Sequence, residues 1–279
     1  MEMVTLNNGI QMPIIGYGTY KVVGQQCVDC VKEAISAGYR LIDTAQAYGN
    51  ELDVGQAIKE CGVPRDEIFV TTKVWFRFHE SGRCRESVLQ SMKHLGVDYI
   101  DLVLIHWPFG NTYAAWRDLE ALYAEKKIRA IGVSNYMASQ LIDLIEFNTV
   151  VPTVNQVETN LVCQQLPLQK VMAHHNVAHQ AYSPLGQGRL NAMFGDPVVL
   201  AIADKYRVTA RQIALRYLIQ SGISVIPRSV DARRMRENRD IFSVNLESEE
   251  MMALRALDKE TPLNGSPLDP NFVASAMMW

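Results

Sequence analysis

Four ionisable side chains stand in or just after short apolar runs: Asp43, Tyr48, Lys73 and His106. A lysine in such a run can act as an amine nucleophile through a Schiff base, or pair with a carboxylate. An imidazole can donate or take a proton near neutral pH. A phenol is a reluctant acid there unless a neighbouring ammonium favours the phenolate. Each also has an ordinary use, since buried histidines, strand lysines and loop tyrosines commonly serve packing or pairing. The company they keep is less ordinary. Asp43 leads into Thr44-Ala45-Gln46-Ala47-Tyr48, Lys73 into Val74-Trp75, and His106 into Trp107-Pro108. Other runs end in Ser134-Asn135 and Tyr182-Ser183, the sixth carries Asn155-Gln156, and the last is followed by Pro227-Arg228-Ser229. A pure packing role would not select polar and aromatic groups at every end.

The runs themselves span Ile14–Gly18, Tyr39–Asp43, Ile68–Val74, Tyr99–His106, Ile128–Ser134, Thr153–Glu158, Val177–Ser183 and Ser224–Ile226. They do not alternate strictly, as expected of strands buried on both faces. Between them lie amphipathic stretches, among them Glu51–Cys61, Arg85–Leu95, Tyr113–Glu125, Ala138–Phe147, Pro167–His174 and Arg211–Gln220. In Arg85–Leu95, Val88, Met92 and Leu95 fall at helical spacing. Strand–helix alternation is the α/β pattern, and eight units in this length match a closed (β/α)8 TIM barrel better than an open sheet. In that fold the chemistry gathers at the C-terminal strand ends, where the four residues stand. Two features lie outside the units. VTLNNGIQMPI reads as an N-terminal β-hairpin that could plug the barrel bottom. GSPLDPNFVASAMMW reads as a C-terminal tail over the barrel mouth. No linker divides the chain, so residues 1–279 are expected to form a single domain.

Of the 279 residues, 48% are apolar and 20% charged, with a net charge of −3, so nothing in the charge balance points to nucleic acid or a membrane surface. The N-terminus carries no secretory pattern, no apolar run is of spanning length, and the five cysteines are scattered. These features lead to the expectation of a reduced, cytoplasmic monomer. Cys27 and Cys30 form one CxxC, but inside the helix-like GQQCVDCVKEAISAG, where Cys27, Val31 and Ala34 share a face; small helix residues are the expected reading. No cluster has metal-ligand spacing, and no metal is expected.

Over nearly its whole length the chain resembles the aldo-keto reductases. The matching stretches are LIDTAQAYGNE, FVTTKVW, LIHWP, IRAIGVSNY, VNQVE, AYSPLGQG and IPRSV followed by RMREN. The resemblance implies an NADPH-dependent reduction of carbonyls to alcohols, with Tyr48 protonating the carbonyl oxygen. Lys73 would lower the Tyr48 pKa, Asp43 would hold Lys73 charged and oriented, and His106 would hydrogen-bond the substrate carbonyl. No side chain supplies hydride, so a dinucleotide is required. Gly16 and Gly18 do not complete a GxGxxG pattern. The resemblance instead assigns Ser134, Asn135 and Gln156 to the nicotinamide carboxamide and Tyr182 to stacking on its ring. Ser183 and Leu185 would hold the pyrophosphate, Arg228, Ser229 and Arg234 the 2′-phosphate, and Glu237 and Asn238 the adenine. Arg233, Arg236 and Arg239 have the alternative reading of a solvated basic face. Tyr20, Tyr48, Trp75, His106 and Trp107 would line the substrate pocket, with the tail near Trp279 touching it.

Three departures from the family pattern stand out. Tyr20 replaces a frequent Trp, Arg228 a usual Lys, and Asn160-Leu161 a common His-Pro. Arg and Lys differ at a phosphate, so the strength of NADPH preference stays open. The short loop after His106 is similar to bacterial and protozoan members such as diketogluconate reductases, methylglyoxal reductases and prostaglandin F synthases. Two other functions remain: a nucleotide-binding regulatory subunit with little turnover, and an aldolase using Lys73 as Schiff-base nucleophile.

Overall fold

Eight parallel strands follow one another in chain order around a single sheet: β3 (Tyr17–Gly18), β4 (Leu41–Asp43), β5 (Phe69–Val74), β6 (Ile100–Ile105), β7 (Ile128–Ser134), β8 (Val154–Glu158), β9 (Ala178–Tyr182) and β10 (Ser224–Val225). They are preceded by the hairpin β1 (Met3–Thr5) and β2 (Gln11–Pro13). The structure is a computed structural model that describes residues 2–189 and 191–278. The sheet closes on itself where Ile15 pairs with Val225. Across that seam Val225 N donates to Ile14 O at 2.9 Å, Gly16 N to Val225 O at 2.8 Å, and Gly18 N to Pro227 O at 3.1 Å. Gly16 lets the backbone pass close here: a Cβ would lie 2.2 Å from Leu41 Cδ2 and make that side chain shift. The result is the expected (β/α)8 barrel.

The near-continuous apolar runs are explained by two cores. Ile42, Val70, Val103 and Ile131 face outward into the layer under the helices. Leu41, Phe69, Leu102, Leu104, Ala130 and Val154 face inward, and the hairpin's Leu6 and Met12 seal that inner cluster from below. Asn7 Nδ2 and Asn8 Nδ2 pin the hairpin turn to Pro152 O and Arg129 O. The expected plug is therefore present.

The outer layer comprises α1 (Gly24–Ser36), α2 (Glu51–Glu60), α3 (Arg83–Leu95), α4 (Thr112–Ala124), α5 (Ala138–Glu146), α6 (Leu166–His174), α7 (Pro197–Tyr206), α8 (Ala210–Gln220), α9 (Ala232–Arg239) and α10 (Ser248–Arg255), with α11 (Pro270–Ala276) in the tail. Val88, Met92 and Leu95 are the buried stripe of α3. Cys27 and Cys30 are buried on α1 with Val31 and Ala34, and burial pushes the Cys27 thiol up to about 12. Buried, protonated thiols are poor redox or metal groups. α7, α10 and α11 come in addition to the helices read from periodicity. The tail helix starts at a signal visible in hindsight: Asp269 caps it by accepting from Asn271 N, and Pro270 opens the first turn. Among the described residues no helix is long and apolar enough to cross a membrane.

Candidate functional site

Asp43 ends β4 and Lys73 lies on β5 one strand over, both pointing into the barrel near its C-terminal mouth. Lys73 Nζ donates to Asp43 Oδ1 at 2.5 Å, to Thr44 O at 3.0 Å and to the Tyr48 hydroxyl at 3.4 Å. Tyr48 reaches it from the short 3-10 turn Gln46–Tyr48 that follows β4. Asp43 spends its other oxygen, Oδ2, on Gln156 Nε2 at 2.8 Å. His106 stands just beyond β6, its ring edge-on to Tyr48 with centroids 5.8 Å apart. The four ionisable residues thus converge, as the strand-end argument required. Lys73 is fully buried and each of its ammonium hydrogens has an acceptor. A Schiff-base nucleophile needs a free, accessible amine, so this geometry argues against the aldolase reading.

The expected lowering of the Tyr48 pKa needs correction. Burial, reinforced by the Asp43 carboxylate and by Tyr182 and Tyr20, pushes the Tyr48 phenol well above its usual value. Asp43 counters the ammonium that was expected to dominate, and desolvation is added to it. Burial also lowers Lys73, against the pull of Asp43. Burial, with Lys73 and His79 nearby, holds His106 well below the usual imidazole range. The site therefore presents a protonated phenol beside a neutral imidazole. Such a pair can offer hydrogen bonds to one oxygen, and the phenol can pass it a proton.

Around this centre the ends of β7, β8 and β9 are knitted together. Ser134 Oγ donates to Gln156 O at 2.8 Å. Asn135 takes a left-handed backbone, φ 64°, which Asn tolerates. Its Nδ2 donates to His106 O at 3.0 Å and Ser134 Oγ at 3.1 Å, while its Oδ1 accepts from the Tyr182 hydroxyl at 2.9 Å. Gln156 turns its amide nitrogen downward, to Asp43 and to Gln180 Oε1 at 2.8 Å. Ser134, Asn135, Gln156 and Tyr182 are thus brought into one patch beside the ionisable cluster. After β9, Ser183 (φ 49°) begins a turn in which Gly186 N donates to Ser183 O at 2.9 Å, with Leu185 half-buried between them.

After β10, Tyr17 OH donates to Ser229 O at 2.7 Å, fixing the loop that carries Arg228. Asp231 caps α9, accepting from Arg234 N at 3.1 Å. The basic residues of this region divide into two sets. Arg233 faces Glu237 at 3.7 Å and Arg236 pairs with Glu33. Arg239 packs its guanidinium over Gly38. Arg228 and Arg234 are exposed and have no carboxylate partner among the described residues. Glu237 accepts from Thr209 Oγ1 at 2.9 Å, and Asn238 is buried under the helix.

The pocket wall is aromatic. Tyr20 lies 5.0 Å from Tyr48 between ring centroids, Trp75 5.3 Å from His106, and Trp107 stacks on Phe109 at 5.5 Å. Trp75 N is held by Gln46 Oε1 at 2.9 Å. Sequence reasoning missed part of this wall. Phe272, Val273 and Ala276 of α11 pack on Trp107 and Phe109, with Phe272 and Trp107 rings 5.2 Å apart. The Asp-Pro start of α11 was the available clue. Trp279 lies outside the described residues. A separate cavity of about 550 Å³ opens between α2 and α3, lined by Gln46, Glu51, Leu52, Arg83 and His94. It holds none of the four converging residues and lies apart from the site they form.

Comparison with known proteins agrees with this arrangement. The model of the aldo/keto reductase family matches residues 14–259. The chain is 41% identical to a 9,11-endoperoxide prostaglandin H2 reductase of Trypanosoma cruzi, covering 95% of this chain and 94% of that one. It is 40% identical to a glyoxal reductase of Bacillus subtilis, covering 95% and 96%. A crystal structure of an aldo-keto reductase of Bombyx mori in complex with NADP superposes with a TM-score of 0.90 at 34% identity, covering 98% of this chain and 96% of that one. On its barrel, its strand-end residues and these matches, the chain belongs to the aldo/keto reductase family.

Proposed function

We propose that this chain, acting as one unit over residues 1–279, uses NADPH to reduce small aldehydes, α-dicarbonyls and keto-sugars to alcohols. The observation that carries this reading is the chain of contacts from Asp43 through Lys73 to the Tyr48 hydroxyl, set beside a neutral His106 in an aromatic pocket. The names of the matched proteins support it, a glyoxal reductase and an NADP complex among them.

The residues present fit a dinucleotide phosphate. Arg228 and Arg234 are exposed guanidinium groups without carboxylate partners among the described residues, and they flank the capped start of α9, where barrels commonly bind phosphate. They and Ser229 would hold the 2′-phosphate, and Glu237 and Asn238 the adenine. Ser183 and Leu185 would hold the pyrophosphate. Ser134, Asn135 and Gln156 would hold the carboxamide, with the Tyr182 ring against the nicotinamide. When bound, NADPH supplies the hydride. Tyr48 gives its proton to the carbonyl oxygen, and the Lys73 ammonium stabilises the phenolate left behind. Asp43 keeps Lys73 charged and aimed, and His106 donates to the same substrate oxygen. Tyr20, Trp75 and Trp107 exclude water and seat the substrate.

The test follows the nicotinamide absorbance with NADPH or NADH and a panel of methylglyoxal, glyceraldehyde, a nitrobenzaldehyde, a keto-sugar and a quinone. Turnover preferring NADPH supports the reading. Tight NADPH binding without turnover on any of them would overturn it in favour of the regulatory subunit.

A further inference from the structure

Glu158 is a buried carboxylate, 3% exposed, with no cation beside it among the described residues. It ends β8 two residues after Gln156, so strand geometry puts both side chains on the same face, with Glu158 nearer the mouth. Its oxygens are taken by the tail. Leu263 N donates to Oε1 at 3.0 Å and Asn264 N to Oε2 at 2.9 Å. Asn160 Nδ2 adds a third contact to Oε1 at 3.3 Å, while its own Oδ1 accepts from Val162 N and Cys163 N, closing a tight turn. That turn receives the same stretch of chain at a second point: Lys259 N donates to Val162 O at 2.9 Å, and Asp258 Oδ1 accepts from Gln164 N at 3.1 Å. Asn160 thus braces the Glu158 carboxylate with its amide nitrogen and the following turn with its amide oxygen.

What the anchored segment carries gives the contact its meaning. Six residues after Asn264 the tail enters α11, whose Phe272 and Val273 complete the pocket wall against Trp107 and Phe109. The geometry points to Glu158 as a positioning residue for substrate selection: its carboxylate latches the tail at Leu263 and Asn264 and so sets where the α11 wall stands. This rests on the reductase reading above. A charge-assisted bond to a backbone amide is among the stronger hydrogen bonds, and two of them on one buried group define a fixed point. A bulky aromatic aldehyde uses the Phe272 wall, whereas methylglyoxal is too small to reach both sides of the pocket at once.

The experiment compares Glu158→Gln with the unmodified protein by two independent readouts. Hydrogen exchange of the amides of Leu263 and Asn264 reads the latch without any turnover, and exchange at least tenfold faster is expected. Steady-state kinetics read its consequence: KM for a nitrobenzaldehyde rises about tenfold, KM for methylglyoxal stays within twofold, and kcat for both changes little. A chain ending at Gly265 should show the same split and gain nothing further from Glu158→Gln, which keeps the test alive if the point variant folds poorly. Unchanged amide exchange would overturn the latch. Faster exchange with both KM values moving together would overturn its role in selection. An unmodified protein that turns over neither aldehyde would instead remove the reductase reading and leave the exchange result standing.

Discussion

Lys73 touches the Tyr48 hydroxyl at 3.4 Å, the longest of its three contacts and the one that leads out of the barrel toward the pocket. Its contacts to Asp43 and Thr44 hold it in the strand layer, so the third contact is directed at a single atom. If that atom is the proton donor, Tyr48→Phe should keep NADPH binding within twofold while kcat falls at least ~100-fold, the usual range for a lost general acid. Nicotinamide fluorescence titration and turnover, measured on the same preparation, check both halves. A near-normal rate would sink the assignment.

The Lys73–Asp43 pair should also matter to the fold. Lys73→Met leaves Asp43 buried with only Gln156 for a partner. Removing one member of a buried pair commonly costs about 3–5 kcal/mol. Denaturant unfolding should show a loss of that size for Lys73→Met, and a smaller one when Asp43→Asn is added, since no uncompensated charge then remains.

Arg234 supplies a guanidinium without a carboxylate partner among the described residues at the start of α9, and NADPH differs from NADH by one phosphate. Arg234→Ala should raise KM for NADPH ~10-fold or more, from loss of one or two charged hydrogen bonds, and leave KM for NADH nearly unchanged. Initial rates with each cofactor at a fixed aldehyde concentration test this. Equal changes for both would remove the 2′-phosphate assignment.

Acid should destabilise the protein through its histidines. Burial lowers His179 to about 3, and lowers His79 and His106 below the ordinary value as well. A histidine with a depressed folded pKa binds more protons when unfolded. Its contribution is therefore complete above the unfolded value of about 6.5 and is lost as pH falls toward the folded one. At pH 5 His179 alone should cost about 2 kcal/mol, with His79 and His106 acting in the same direction. Tm should hold steady from pH 8 to 7 and drop clearly by pH 5, and His179→Gln should shrink the drop. Over the same range upward, Tyr48 keeps its proton and His106 stays neutral, so kcat/KM for reduction should be flat from pH 7 to 9.

Much of the barrel could be read before any coordinates because its strands are buried on both faces. That leaves runs such as residues 102–105 unbroken by polar residues and marks their ends sharply. The four converging residues were legible for the same reason, since Asp43 and His106 close a run, Lys73 stands one residue before the end of another, and Tyr48 lies in the turn that follows the first. The tail was harder. Its docking point is made by the main-chain amides of Leu263 and Asn264, which any residue except proline supplies, so its letters do not announce it. The direction of the Tyr48 shift was also out of reach. A lysine nearby can be guessed from spacing, but the depth of burial that outweighs it is a property of the folded whole.

The seam between Ile15 and Val225 has a consequence for the order of assembly. The two partners are about 210 residues apart in the chain, so during synthesis the first strand can pair early with β4 on one side, but its other edge leaves the ribosome long before its closing partner exists. Through that interval Gly16 and Gly18 lack their acceptors on Val225 and Pro227, and the segment bearing Tyr20 is held on the β4 side alone. The ring must wait for its last stave, and chains cut short of Ser224 would expose an unpaired strand edge of the kind that invites aggregation.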